Sequence, residues 1–128
     1  MKPASVSIII TRHNECDAIV ARTLAAAASQ SGICGEILFL DQMSSEGTRD
    51  LATDLASEDL GMRVTDIAPC GLSHARNIAL SLARHDILLF LDADARPEPD
   101  WARYLAETLS LPNVGIAGSR ILPDYAKR

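Results

Sequence analysis

The chain has 128 residues, 48% hydrophobic and 23% charged, which suits one domain with a real apolar core and excludes a disordered or low-complexity polymer. Its net charge of −5 argues against a general binder of nucleic acid or anionic membranes, while leaving room for a locally basic pocket. No apolar run approaches the roughly 18 residues that span a bilayer, and Met1–Ser5 leads straight into a strand-like run without a signal-peptide core, so a cytoplasmic location is expected. The three cysteines, Cys16, Cys34 and Cys70, are odd in number and lack CxxC spacing, so they read as reduced, mostly buried thiols.

In chain order, Val6–Ile10 is short, apolar and β-branched, a first buried strand that stops at the polar turn Thr11–Glu15. Apolar residues Cys16, Ile19, Val20, Leu24, Ala27 and Ala28 then recur on one helical face over about 16–30, with Asn14 as the expected N-cap and Gly32 as the stop. Glu36–Leu40 is a second apolar strand ending in Asp41, and a helix over about 46–57 follows with Leu51, Ala52 and Leu55 inward and Ser44 or Ser45 capping it. The mixed polarity of Met62–Ile67 predicts an edge strand. Leu72–Ala83 reads as a helix with Leu72, Ala75, Ile78, Ala79 and Leu82 inward.

The run Ile87–Leu91 then leads directly into Asp92-Ala93-Asp94, which predicts a central strand buried on both faces with two carboxylates at its carboxyl end. Proline and acids at 97–100 open another helix, with Trp101, Tyr104, Leu105 and Leu109 inward. Val114–Ala117 predicts a fifth strand, and 123–128 a polar tail. Strands alternating with helices predict a parallel, doubly wound α/β sheet with right-handed crossovers.

A parallel sheet puts the polar clusters Thr11–Glu15, Asp41–Ser45 and Asp92–Asp94 on one edge, where they can meet one ligand. Capping suffices for Asn14, Ser44, Ser45 and Glu46, whereas Asp41, Asp92 and Asp94 read as ligand-facing. Two carboxylates one residue apart repel unless a proton or cation lies between them, and Mg²⁺ or Mn²⁺ takes such hard oxygen donors. Arg76 could reach a phosphate or carboxylate, or be an ordinary salt-bridged helix arginine. His13 could meet a base or simply be exposed. No G-x-G-x-x-G, no G-x-x-x-x-G-K-[ST] and no G-x-S-x-G occurs, which excludes the usual dinucleotide fingerprint, the P-loop and a nucleophile elbow.

Four stretches together resemble the nucleotide-sugar-binding half of family-2 glycosyltransferases with the GT-A fold: Val6–Glu15, Glu36–Asp41 with Ser44–Thr48, Gly71–Asn77, and Leu89–Asp94 with Pro99–Trp101. The resemblance implies a Rossmann-like GT-A three-layer sandwich with a mainly parallel sheet. It implies a nucleoside pocket lined by Thr11, His13 and Glu15, with Asp41 at the uracil or ribose, Arg76 near the base or diphosphate, Asp92 at the ribose, and Asp94 holding Mn²⁺ or Mg²⁺ with Asp92 beside it. The implied donor is a UDP-sugar, and the implied reaction is transfer to an acceptor hydroxyl with inversion. Gln42 and Met43 stand where the family has Asp and Gly, and His13 where it has Tyr. Residues 1–128 are read as one donor-binding domain whose acceptor half and catalytic base are absent. The acceptor is not legible, nucleic acid is not expected as a partner, and self-association or peripheral membrane attachment are the assemblies left open. Competing readings are a non-catalytic nucleotide-sugar-binding or assembly module and a metal-dependent nucleotidyltransferase.

Overall fold

The computed structural model describes residues 2–42 and 46–124. Its elements run β1 (Ala4–Arg12), α1 (Asp17–Ala28), β2 (Ile33–Asp41), α2 (Glu46–Leu55), β3 (Leu60–Asp66), α3 (Leu72–Leu82), β4 (Ile87–Asp92) and α4 (Trp101–Leu109). Every strand pairing is parallel, and the sheet order is β3-β2-β1-β4. This is the expected Rossmann-like α/β sheet, and β3 is an edge as its mixed polarity predicts.

Strand alternation divides the core in two. Val6, Ile8 and Ile10 of β1, with Ile37 and Phe39 of β2, pack on one face against Val20, Leu24 and Ala27 of α1 and Ala102 and Ala106 of α4. Ile9, Leu38 and Leu40 face the other way and are closed by Ala79, Ile78 and Leu82 of α3. β1 and β2 are therefore covered on both sides, which is why they read as unbroken apolar runs.

Several expectations are corrected. The 87–91 run is not central: β4 pairs with β1 on one side and with no other strand among the described residues, and it is not buried on both faces, Phe90 being 42% exposed. An apolar run marks a strand, but reports neither its place in the sheet nor cover on both faces. Val114–Ala117 forms no strand and Ile116 is exposed, because no described strand edge meets it. The N-cap of α1 is Cys16 rather than Asn14, and it makes no side-chain cap; Asp17 instead brings a negative charge to the first turn. Cys16, Ile19, Leu72 and Tyr104 are exposed rather than inward, and Cys34 and Cys70 are only half-buried. Tyr104 instead carries the Arg103 guanidinium on its ring, 4.5 Å from the centroid. The caps expected at Ser44 or Ser45 and the end of the tail lie outside the described residues.

A polar network that periodicity does not reveal ties β1, β2 and β3 to the end of α3. Glu36, 5% exposed, accepts from Ser7 Oγ at 2.9 Å, the Arg84 N–H at 2.9 Å and Arg63 Nε at 3.0 Å, while Arg63 Nη2 also donates to the Leu82 carbonyl at 2.6 Å. Burial alone would raise the Glu36 pKa, but these hydrogen bonds together hold it below its ordinary value of 4.5. A depressed folded-state pKa stabilises the fold above the unfolded value and loses that contribution as pH falls through the folded one. Stability should therefore decline on acidification below about pH 4.5. Glu36→Gln should cost roughly 1–3 kcal/mol at pH 7 and flatten that acid limb. Urea unfolding of both proteins at pH 7 and pH 4 checks this; a variant as stable as wild type at pH 7 overturns the role given to the network.

Candidate functional site

Because β1, β2 and β4 run parallel, the polar residues after each strand share one edge of the sheet. The register sets Thr11 beside Asp92 and Leu40, and Arg12 beside Asp41.

Asp92 is the last residue of β4, and the chain turns there, with the Ala95 N–H donating to the Asp92 carbonyl at 3.0 Å. Ala93, 1% exposed, lies under α1, where its carbonyl accepts a 2.7 Å hydrogen bond from Thr23 Oγ1. A small residue between the carboxylates is thus a packing requirement, and pinning it leaves Asp92 and Asp94 exposed on either side. Arg76, in the second turn of α3, places Nη2 at 3.4 Å from Asp92 Oδ1 and its guanidinium carbon at 5.6 Å from the Phe90 ring centroid. Arg76, Asp92 and Asp94 line one cleft of about 810 Å³, together with Arg96, Trp101 and the extended segment 119–124. That segment is fastened by a 3.1 Å hydrogen bond from Trp101 Nε1 to Ser119 Oγ and by an Arg96–Asp124 ion pair.

The donor set fits a hard divalent cation. Asp92 and Asp94 offer only carboxylate oxygens, and among the described residues no third His, Cys, Asp or Glu joins them in a cluster. Mg²⁺ is commonly held in this manner, through one or two carboxylates with phosphate and water oxygens completing the shell.

Thr11, His13, Glu15 and Asp41 do not line that cleft. Thr11 is half-buried beside Asp92 and His13 is exposed. The Glu15 carboxylate folds back on its own turn, accepting from the N–H groups of His13 at 2.8 Å and Asn14 at 3.2 Å. Asp41 is fully buried, with Oδ2 at 3.7 Å from Arg12 Nη1. Arg12, 2% exposed, also bonds Asp17 through Nη2 and the Glu15 carbonyl through Nε at 3.0 Å.

The sequence reading missed Arg12, although a signal existed. Counting by twos from Val6, Ile8 and Ile10 puts Arg12 on the face that α1 covers, and a buried guanidinium demands an anion there. Asp41 sits on the same face of β2 by the same count from Ile37 and Phe39. Gln42, 8% exposed, was also missed as an organising residue, and no periodicity marks it.

Comparison with known proteins decides the family: residues 7–127 match the profile of glycosyl transferase family 2. The chain belongs to that family. Among curated relatives, polypeptide N-acetylgalactosaminyltransferase 8 of Drosophila melanogaster is 33% identical over 106 residues, covering 78% of this chain and 18% of that protein. Glycosyltransferase AglE of Haloferax volcanii is 30% identical over 124 residues, covering 94% of this chain and 40% of that protein. Among solved structures, the mannosyltransferase PcManGT from Pyrobaculum calidifontis, in complex with GDP-Man and Mn²⁺, superposes with a TM-score of 0.73 at 28% identity, covering 86% of this chain and 33% of that one. TarS of S. aureus, at 21% identity and a TM-score of 0.69, shares the fold over 82% of this chain and 19% of its own. The glycosyl transferase family 2 chain described here thus has the GT-A fold and spans at most 40% of the length of these relatives.

Proposed function

We propose that this chain is the donor-binding part of a glycosyltransferase that takes a nucleoside-diphosphate sugar and passes the sugar, with inversion, to an acceptor hydroxyl. The observation that carries this reading is the convergence of Arg76, Asp92 and Asp94 on one cleft at the carboxyl edge of a parallel sheet, the place where open α/β sheets bind ligands. The GDP-Man and Mn²⁺ held by the structurally similar mannosyltransferase from Pyrobaculum calidifontis support it.

In this reading Asp94, with Asp92, would hold Mg²⁺ or Mn²⁺ in the donor cleft. When bound, the cation supplies Lewis-acid stabilisation of the charge that develops there. Arg76 adds a fixed positive charge, already oriented by Asp92 and Phe90 before the donor arrives. Thr11 and His13 flank the nucleoside, Glu15 shapes their turn, and Asp41 acts through the buried Arg12 that it partners. The bond between the anomeric carbon and the diphosphate oxygen breaks, its electrons leave with the nucleoside diphosphate, and the acceptor oxygen forms the new bond as its proton passes to a base.

Calorimetric titration with UDP and with GDP, each in Mn²⁺ and then in EDTA, tests the reading. We expect one nucleotide to bind with metal and to weaken at least about tenfold on chelation, UDP being the nucleotide that the motifs imply. Turnover of the matching sugar donor would make the chain a transferase, and binding without turnover a donor-binding module. A folded sample that binds neither nucleotide overturns the proposal.

A further inference from the structure

The Gln42 side-chain amide joins the two halves of the candidate site. Its Nε2 donates to the Arg12 carbonyl at 2.9 Å, and its Oε1 accepts from the Cys70 N–H at 3.0 Å. The Gln42 N–H also reaches the Arg12 carbonyl, at 3.2 Å. Arg12 is a firm anchor because its own guanidinium is buried among Asp17, Asp41 and the Glu15 carbonyl. Cys70 immediately precedes Gly71, the N-cap of α3, and α3 carries Arg76. One buried amide therefore links the turn bearing His13 and Glu15 to the helix bearing the cleft's arginine. Only a group with both a donor and an acceptor can do this; a carboxylate could accept from Cys70 but could not donate to a carbonyl.

We propose that Gln42 is a positioning residue of the donor site, a clasp that fixes the spacing between the nucleoside turn after β1 and the diphosphate-facing Arg76. The inference rests on the donor-binding reading above. A nucleoside diphosphate gains its affinity over its parts only if both subsites keep the separation the ligand needs. Loosening the clasp should weaken a ligand that spans both subsites, yet leave unchanged one that occupies only the metal and diphosphate end.

The test uses Gln42→Met, which keeps the volume and removes both hydrogen bonds, and Gln42→Glu, which keeps the acceptor and removes the donor. UDP and GDP with Mn²⁺ should bind about tenfold more weakly to Gln42→Met, while inorganic diphosphate with Mn²⁺ binds as to wild type. An equal loss for nucleotide and inorganic diphosphate would mean a general loosening of the fold, and an unchanged nucleotide affinity would mean no positioning role; either overturns the proposal. Amide hydrogen exchange is measured on the same samples without ligand. The Cys70 N–H should exchange at least about tenfold faster in Gln42→Met and stay protected in Gln42→Glu, with the core of β1 unchanged. Unchanged Cys70 exchange in Gln42→Met overturns the clasp even in a protein that binds no nucleotide, which separates its failure from failure of the donor reading.

Discussion

Replacing Asp94 with alanine is expected to abolish metal-dependent nucleotide binding, weakening it at least about a hundredfold, while leaving the thermal unfolding midpoint within a degree or two of wild type. The two halves of this expectation have different origins. Asp94 is exposed, within the turn that Thr23 pins through the Ala93 carbonyl, so its removal uncovers no core and disturbs no strand pairing. A hard cation that has already exchanged water for carboxylate and phosphate oxygens cannot recover a lost anionic ligand from a methyl group. Asp92→Ala should differ in kind, because Asp92 also holds Arg76 at 3.4 Å, and its loss should weaken nucleotide binding in EDTA as well as in Mn²⁺. Calorimetry of both variants, with and without chelator, reads the difference. An Asp94→Ala protein that keeps its Mn²⁺-dependent affinity would move the metal elsewhere on the carboxyl edge.

The largest effect on stability is expected from Gly35→Ala. Gly35 begins the stretch of β2 that pairs with both β1 and β3, with Val6 and Leu60 as its register partners. Its φ of +126° lies where L side chains are strained, and an added Cβ would stand 2.1 Å from the Val6 carbonyl oxygen and 2.9 Å from the Val6 nitrogen. Both obstacles are backbone of the neighbouring strand, so no rotamer change relieves them. Strain at such a position alone costs of order 1–3 kcal/mol, and parting β1 from β2 adds the lost strand pairing. A total loss above about 3 kcal/mol is expected, a large fraction of the roughly 5–15 kcal/mol that holds an ordinary domain together. Gly61→Ala is the matched control, since Gly61 lies on β3 with nothing within 4 Å of the added carbon. Urea unfolding should place Gly61→Ala within about 1 kcal/mol of wild type and Gly35→Ala far below it. Similar midpoints for the two variants would contradict the close approach of β1 and β2.

The strands and helices were legible because strands that face the core read as short apolar runs, and burial on one side of a helix as a helical stripe. Val6–Ile10, Glu36–Leu40 and Ile87–Leu91 all became strands, and Asp92 and Asp94 fell at a carboxyl end as their place after an apolar run requires. What that pattern omits is who lies beside whom. The same kind of run occurs in β1 at the sheet's interior and in β4 at its edge, so strand order was a tertiary decision made by pairing. The polar partners were decided in the same way. Arg12 with Asp41, Gln42 with Arg12 and Cys70, and Glu36 with Ser7, Arg63 and Arg84 join positions 27 to 48 residues apart in the chain. The sequence by itself determined the α/β class, the parallel sheet and the pair of carboxylates at its edge, because local apolar patterning and chain alternation are enough to dictate them. Only the tertiary structure decided that Asp41 is enclosed with Arg12, that Arg76 meets Asp92, and that Gln42 ties their loops together, because a hydrogen bond depends on distance in space and leaves no period along the chain.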